Sequence, residues 1–80
     1  MVSRLFNEPI TVHAVNSFAP SAFIWRRRSY RVSDILSWWR EPGEWWNGQP
    51  VRIMLRVCAN GGIYELARIE SSWFLNRVLD

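Results

Sequence analysis

Arginine and tryptophan are the residue types in this sequence that could do the most chemistry. All ten basic side chains of the 80-residue chain are arginines, and six tryptophans accompany them. The planar guanidinium group stacks on aromatic rings and forms paired hydrogen bonds with phosphate or carboxylate groups. This combination suits binding to nucleic acid or to another protein, although a GC-rich genome that favours arginine codons also explains the absence of lysine.

Eight of these residues form the predicted binding site. Three arginines are expected around a first hairpin, one lies among four tryptophans, and two alternate with apolar residues on the outward face of a strand. Small β-barrels bind single-stranded nucleic acid through a basic groove with exposed rings, because each stacked base contributes about 1 to 3 kcal/mol. The predicted site comprises Arg26, Arg27, Arg31, Arg40, Trp45, Trp46, Arg52 and Arg56.

Two further expectations refine this site. Arg28 is left out, because a two-residue turn would place it opposite Trp25, where it packs on the ring or pairs with a carboxylate. Neighbouring residues of a strand point to opposite faces, so one ring of each tryptophan pair, at positions 38–39 and 45–46, is expected in the core. At most two of these four rings should then be well exposed.

The titratable residues form no catalytic pattern. His13 has no serine or cysteine near it in sequence and is expected at the surface, and Cys58 is expected to be a half-buried, inert thiol. One histidine and one cysteine make neither a disulfide within the chain nor a standard metal site. Glu41 and Glu44 flank a predicted turn and should partner Arg40 or water. We therefore predict a protein that is not an enzyme and uses no cofactor or metal.

Composition indicates one small domain over residues 1–80. Hydrophobic types make up 49% of the chain and charged types 21%, which is close to the globular average. The net charge of +3 permits binding to a polyanion without requiring it. The longest apolar runs are far shorter than the roughly 20 residues of a membrane-spanning helix, and no secretory signal begins the sequence. We therefore predict a soluble, cytoplasmic protein with no membrane contact.

Proline and glycine divide the chain into segments of strand length. Alternating apolar residues predict a first strand over 10–14, after Pro9. A two-residue turn at Arg26-Arg27 would place Phe23 opposite Tyr30, with Trp25 and Val32 on the same face. Arginines are unusual in such a turn, since both positions need a positive φ.

Segment 33–40 is ambiguous between a strand and one short helical turn near 33–39. We favour a strand with a bulge near Asp34, because a helix of eight residues ending before Pro42 would be marginal. The sequence WWREPGEWW over 38–46 is nearly symmetric about Pro42-Gly43, which suits the centre of a type II turn. This segment is therefore predicted to fold back on itself.

The most secure hairpin lies in the C-terminal half. Asn60-Gly61 is a strong turn signal between two alternating segments, and it places Leu55 opposite Leu66 and Arg56 opposite Glu65. A last strand over 73–79 should bring Leu75 to Leu66. The sequence thus predicts an all-β fold, a small antiparallel barrel or strongly coiled sheet of about five to six short strands.

Six segments together resemble a known family. They are residues 3–4, NEPITV at 7–12, FIWRRRSYRV at 23–32, WREPGEWW at 39–46, YEL at 64–66 and WFLNRV at 73–78. They resemble an uncharacterised actinobacterial family of small domains, found free-standing and as the C-terminal module of some ImuB-like proteins, which are inactive relatives of Y-family polymerases. The resemblance implies a role in DNA repair or translesion mutagenesis, and it implies glycine as the usual residue where Arg27 stands here.

Two binding hypotheses follow. The first is a non-catalytic module that binds single-stranded DNA through arginine and tryptophan. The alternative is a protein-docking module, whose partner would be a DNA-repair or polymerase-accessory protein, since tryptophan and arginine are enriched at interface hot spots. Affinity for DNA should fall steeply with salt, whereas an aromatic protein contact should not. A third alternative is a domain that only stabilises a larger assembly or its own dimer.

Overall fold

Seven antiparallel strands account for most of the chain in the computed structural model, which describes residues 3–16, 19–43 and 45–79. A short 3-10 helix over Trp45–Asn47 is the helical segment of that described part. The strands are β1 (Ser3–Pro9), β2 (Thr11–Asn16), β3 (Ala19–Trp25), β4 (Arg28–Glu41), β5 (Arg52–Ala59), β6 (Gly62–Ile69) and β7 (Ser72–Leu79).

The strands form one sheet in the order β1-β7-β6-β5-β4-β3-β2. Its two outermost strands, β1 and β2, are consecutive in the chain and are separated by Ile10 alone. The Ile10 N–H donates a hydrogen bond to the Trp73 carbonyl at 3.1 Å. The sheet therefore curls so that its ends approach each other, and the all-β prediction is confirmed as a curled half-barrel.

The strand count of five to six was too low, because β1 is a strand that the sequence pattern did not reveal. Its register against β7 shifts between Leu5 and Glu8, and Asn7 lies there with φ 53°. An extra residue in a strand breaks the period-2 alternation by which strands are recognised in sequence. Pro9 ends this strand and does not precede the first one.

The two-residue hairpin turns predicted at Arg26-Arg27 and Asn60-Gly61 are confirmed. Arg26 and Arg27 have φ of 52° and 64°, and Trp25 pairs with Arg28 across the turn they form. Asn60 and Gly61 form the corresponding turn between β5 and β6. The expected partners also face each other, as shown by the pairs Phe23 and Tyr30, Leu55 and Leu66, Arg56 and Glu65, and Leu66 and Leu75.

Segment 33–40 belongs to β4, a single strand of 14 residues. The helical alternative for 33–39 was therefore wrong, and the predicted bulge is confirmed by a register shift between Val32 and Asp34. A second shift lies between Ile35 and Ser37. Bulges let β4 bend and twist while it remains paired with β5.

The predicted turn centred on Pro42-Gly43 was wrong. β4 and β5 are instead connected by residues 42–51, so Trp38 and Trp39 pair with Leu55 and Met54 of β5. This longer connection folds onto itself, so that Gly43 lies against the backbone of Gln49 and Pro50. A Cβ at position 43 would collide with the carbonyl groups of both residues. Glycine is required there by this close approach.

The core lies on the inner face of the curled sheet. Phe23, Leu55, Val57, Leu66 and Leu75 are fully buried there. The aromatic face predicted for the first hairpin is confirmed, because Trp25 and Tyr30 are buried with Phe23 and Val32 packs against them. The rings of Phe23 and Tyr30 stack with centroids 5.0 Å apart.

The turn of the first hairpin should be stabilised by a glycine at position 27. A residue other than glycine with a left-handed backbone conformation destabilises the fold by about 1–2 kcal/mol. Glycine avoids this strain but loses more backbone entropy on folding, at a cost of roughly 0.5–1 kcal/mol. We expect Arg27→Gly to raise the free energy of unfolding by about 0.5–1 kcal/mol in urea denaturation. Arg27→Ala keeps the strained backbone and should give no gain. Equal effects of the two variants would contradict this explanation.

Candidate binding surface

The predicted site residues lie in three separate places. Arg26, Arg27 and Arg31 lie at or near the first hairpin turn, Arg52 and Arg56 lie on the outer face of β5, and the remainder lie near the end of β4. A 14-residue strand spans about 40 Å, which is close to the molecule's longest extent of 39 Å. The structure therefore does not bring the described side chains of the predicted site together into one groove.

Arg26 is held by Glu8 in an arrangement here called the clasp, in which the Arg26 side chain is 56% exposed. Its Nη2 and Nε donate to the two Glu8 carboxylate oxygens at 2.7 and 3.0 Å, and the Trp25 indole N–H also donates to Glu8 at 3.0 Å. The guanidinium lies 4.8 Å from the Trp25 ring centroid and 4.9 Å from that of Phe6. Packing on Trp25 and pairing with a carboxylate, which were predicted for Arg28, are thus observed for Arg26. The turn places Arg26 near Glu8 at the end of β1.

The clasp makes the stability of the fold depend on acidity. Hydrogen bonds from Arg26, and then from Trp25, hold the pKa of Glu8 below its ordinary value of 4.5, and the same contact raises the pKa of Arg26. A carboxyl group whose pKa is lower in the folded than in the unfolded state stabilises the fold at pH values above its unfolded pKa. This stabilisation is lost as the pH falls through the folded pKa. The Arg26 contribution is lost only at pH values above the ordinary arginine range.

Removing the charge of Glu8 should therefore reduce the sensitivity of the fold to acid. When the pH is lowered from about 6 to about 3, we expect the urea midpoint of the wild type to decrease by more than the urea midpoint of Glu8→Gln does. Glu70→Gln is the matched control, because Glu70 is exposed and its carboxylate forms no ion pair with a described residue. If Glu8→Gln and the wild type lost stability in parallel, the clasp would contribute nothing.

Arg52 and Arg56 share the outward face of β5, as predicted, but other side chains engage both of them there. Both are half-buried in a network around Glu65 and Asn76, which are only 5% and 8% exposed. Arg56 pairs with Glu65 at 3.2 Å, Asn76 donates to Glu65 at 2.8 Å, and Arg52 donates to Asn76 at 3.1 Å. Arg77 adds an ion pair to Glu65 at 3.9 Å.

This network has a packing cause on the outer face of the sheet. Met54 and Ala67 are fully buried although they lie outside the main core cluster. Long arginine side chains cover such apolar surface with their methylene stems while their charged ends pair. The sequence shows Glu65 opposite Arg56, but it gives no sign of Asn76, which lies at the register shift between β6 and β7.

The tryptophan pair of β4 divides between the two faces, as predicted, but the expectation that one of the two rings lies in the core was wrong. Trp39 is half-buried on the outer face, where its indole N–H donates to Glu41 at 3.0 Å and Arg56 lies 5.5 Å from its ring. Trp38 lies on the opposite face and is 55% exposed. Glu41 is therefore bound to Trp39, and the predicted partnership with Arg40 is wrong.

The second tryptophan pair lies in the connection that follows β4. Trp46 is 67% exposed. Trp45 belongs to the 3-10 helix, but its side chain lies outside the described part of the structure, as does Glu44. Three of the four tryptophan side chains are described, and two of these, Trp38 and Trp46, are well exposed.

Further large hydrophobic side chains of β4 and of the connection after it are exposed. Together with these rings they are here called the apolar patch, whose members, Ile35, Leu36, Trp38, Trp46 and Val51, are each at least 39% exposed. Arg40 is exposed beside it and lines a shallow cleft with Pro42 and Val51. Ile35, Leu36 and Trp38 were absent from the predicted site, because their exposure depends on where β3 ends along β4.

The same part of β4 has an unpaired edge. The β3 pairing ends at Ala22 and Arg31, and among described residues no strand continues it along residues 33–41, here called the open half of β4. A cleft lies where the two strands diverge, lined by Ala19, Pro20, Ser21, Val32, Ser33, Asp34 and Ile35. The open half therefore combines a strand edge that meets no other strand among the described residues with exposed apolar side chains.

The described residues hold no group of three or more potential metal ligands. His13 is exposed and Cys58 is half-buried, as predicted. No helix within residues 3–16, 19–43 and 45–79 is long and apolar enough to cross a membrane.

Comparison with known proteins gives a family and nothing more specific. No curated protein and no solved structure matches the chain. The family described as Domain of unknown function (DUF6504) matches residues 1–80, which is the full length given. That match agrees with the expectation of an uncharacterised small domain. The chain belongs to the DUF6504 family.

Proposed function

We propose that this protein is a non-catalytic docking module that binds another protein through the open half of β4. The observation that carries the proposal is the apolar patch along a strand edge that meets no other strand in the described part of the chain. Trp38 and Trp46 are more than half exposed, and large exposed aromatic side chains anchor protein interfaces. Three smaller apolar side chains of the patch extend the contact around them.

The charge around the patch also favours a protein over a polyanion. Arg40 is the exposed arginine of the open half, and Asp34 and Glu41 contribute two carboxylates to the same nine residues. Arg26, Arg52 and Arg56 are engaged elsewhere, and phosphate binding depends on several free cations along a strand path. Among the described residues, the open half therefore offers one exposed arginine beside two carboxylates, which supports a protein partner over single-stranded DNA.

The family resemblance adds a biological setting to this proposal. It favours a partner from the DNA-repair or translesion apparatus and a cytoplasmic location. A small domain fused to an inactive polymerase relative would serve to recruit another component, which is the role of a docking module. No catalytic residue, cofactor or metal enters the proposed function.

Site-specific cross-linking tests the proposal. A photoreactive benzoylphenylalanine replaces Leu36, which is 46% exposed within the patch, or Val15, which is 44% exposed on β2. Irradiation in native cell extract should yield a discrete protein adduct from position 36 and none from position 15. The adduct should resist nuclease and persist at high salt. Equal adducts from both positions, or none from position 36, would contradict the proposal.

Single-stranded nucleic acid remains the second candidate, because Trp38 and Trp46 present exposed rings and Arg40 lies between them in sequence. Base stacking would quench their fluorescence, and affinity would fall steeply with salt. The docking proposal predicts no saturable quenching by a single-stranded oligonucleotide at low salt. Saturable quenching that a matched duplex does not reproduce would favour the nucleic-acid function.

A further inference from the structure

Beyond the docking function, we infer that the end of the first hairpin is a second interaction surface, which binds the phosphate groups of a nucleic acid backbone. This end comprises residues 24–31 and is here called the arginine tip. Three observations carry the inference. The tip extends past the strands that flank it, it carries exposed arginines that pair with no described residue, and contacts on two sides hold it in place.

The arginine tip extends past both neighbouring strands of the sheet. On one side the β2 pairing stops at Ile24, and on the other side the β5 pairing stops at Val32. The last pair of the hairpin, Trp25 and Arg28, therefore has no strand paired to it on either side among the described residues. A two-stranded ribbon of this kind fits into the groove of a nucleic acid duplex.

Three arginines of the tip remain available to an anion. The side chains of Arg27, Arg28 and Arg31 belong to exposed residues and form no hydrogen bond or ion pair with a described residue. The sequence over 19–33, which includes the whole tip, contains neither aspartate nor glutamate. The positive charge of these three side chains is therefore not compensated within the hairpin itself.

Two carboxylates from outside the tip do not cancel its charge. Glu8 pairs with Arg26 at 2.7 Å, so its negative charge is already matched by that guanidinium group. Asp34 follows Arg31 on β4 after a register shift and forms no ion pair with a described residue. Even with both carboxylates counted, the four arginines of the tip leave a positive excess.

The apolar side chains of the tip indicate which kind of polyanion it fits. Trp25 and Tyr30 are buried and Ile24 is half-buried, so residues 24–31 expose no large apolar or aromatic side chain. Exposed side chains of that kind anchor protein interfaces and stack the bases of single strands. Guanidinium groups alone suit phosphate oxygens, with which they form paired hydrogen bonds. The tip therefore favours the sugar-phosphate backbone over bases or a protein.

Contacts on two sides hold the arginine tip in place. The clasp connects Arg26 to Glu8 of β1. From the turn between β5 and β6, the Asn60 side chain donates to the Ser29 carbonyl at 3.0 Å and accepts from the Arg31 N–H at 3.1 Å. A surface that is held in place before binding loses less conformational entropy when it binds.

Backbone strain in the turn also points to a binding role. Arg26 and Arg27 both have positive φ, a conformation that glycine or asparagine adopts at lower cost. The contact with Glu8 offsets this strain at Arg26, whereas Arg27 forms no hydrogen bond or ion pair with a described residue that would do so. Strain of this kind is concentrated at binding and active sites, where the side chain itself is needed.

Fluorescence anisotropy with a labelled DNA duplex tests the inference. We expect saturable binding at low salt, with the same affinity for duplexes of different sequence. If Arg27, Arg28 and Arg31 each neutralise one phosphate, raising the salt concentration about fourfold should weaken binding roughly 40-fold. Absence of saturable binding at low salt, or an affinity that does not change with salt, would overturn the inference.

Removing one arginine at a time gives the matched variants. Arg27→Gly, Arg28→Gln and Arg31→Gln should each weaken binding and make the slope of log affinity against log salt concentration shallower by about 0.9. Arg68→Gln removes the same charge from β6, about 20 Å of strand beyond the turn that holds the tip. This distance exceeds the Debye length of about 10 Å in 0.1 M salt, so the affinity should not change. An equal loss from Arg68→Gln would show that binding depends on net charge and not on the tip.

Arg27→Gly separates binding from stability. Glycine fits the positive φ at this position, so the variant should be more stable than the wild type while it binds the duplex less tightly. Weaker binding by a more stable variant cannot result from unfolding. Circular dichroism and urea midpoints check the fold of the other variants. If Arg27→Gly bound the duplex as tightly as the wild type, the role of the strained arginine in binding would be refuted.

The tip and the open half of β4 can be tested separately. Variants of the tip should leave the cross-link from position 36 unchanged, because that position lies further along β4. Duplex binding that depends on the tip would stand even if the docking function failed. A glutamate-rich peptide that bound the tip more tightly than the duplex does would assign this surface to an acidic protein and overturn the inference.

Discussion

Phe23→Ala is expected to destabilise the fold by about 3–5 kcal/mol, the usual cost of truncating a fully buried phenylalanine. Phe23 is 0% exposed, stacks on Tyr30 at 5.0 Å and meets the Tyr64 ring edge-on at 5.8 Å. These contacts join β3, β4 and β6 across the curl of the sheet. A domain of this size has a total stability of only about 4–12 kcal/mol, so the variant should be close to unfolding at 37 °C.

Urea denaturation followed by circular dichroism measures this effect. Ile24→Ala is the matched control, because Ile24 is the next residue of β3, points to the opposite face and is only half-buried. We expect the control to cost less than about 2 kcal/mol. A loss at Ile24 equal to that at Phe23 would contradict the assignment of the core to the inner face.

Trp38→Ser is expected to reduce affinity for the docking partner by about 30-fold or more, the effect of removing an interface hot spot of 2 kcal/mol. The free energy of unfolding of the Trp38→Ser variant should differ from that of the wild type by less than about 1 kcal/mol, because the Trp38 ring is 55% exposed in the isolated protein. The cross-link from position 36 reports binding, and urea denaturation reports stability.

Trp39→Phe is the matched control for this prediction. It removes the hydrogen bond to Glu41 and weakens the contact with Arg56, so it should lower stability while leaving the cross-link unchanged. The two neighbouring tryptophans should thus separate binding from stability. If Trp39→Phe reduced the cross-link as much as Trp38→Ser did, the binding surface would not be confined to the face that carries Trp38.

Local signals explain which parts of the fold could be predicted. Asn60-Gly61 specifies its turn through backbone conformation, and the alternation on either side then fixes the register. Arg26-Arg27 was found through the aromatic pairing it creates, despite unfavourable residue types. β1 was missed because the irregularity at Asn7 disrupts its alternation. The connection after β4 was missed because its close contact at Gly43 has no local signature.

The candidate site was harder to predict, because the availability of an arginine depends on distant residues. Arg26 is engaged by Glu8, 18 positions away, and Arg52 by Asn76, 24 positions away. Composition and alternation therefore point to arginine and tryptophan, but they do not show which of these side chains are already engaged by other residues. Trp38 was assigned no binding role for the same reason, since its exposure is set by the end of β3 pairing at Arg31.

Covalent footprinting of tryptophan side chains, read by mass spectrometry, tests the central claim most directly. The purified protein is compared with the same protein in native cell extract, before and after nuclease treatment. We predict that Trp38 and Trp46 react readily in the purified protein and become protected in extract, with or without nuclease, while Trp39 reacts little in every sample. Equal reactivity of Trp38 in buffer and in extract, or protection that nuclease removes, would contradict a protein-docking surface on the open half of β4.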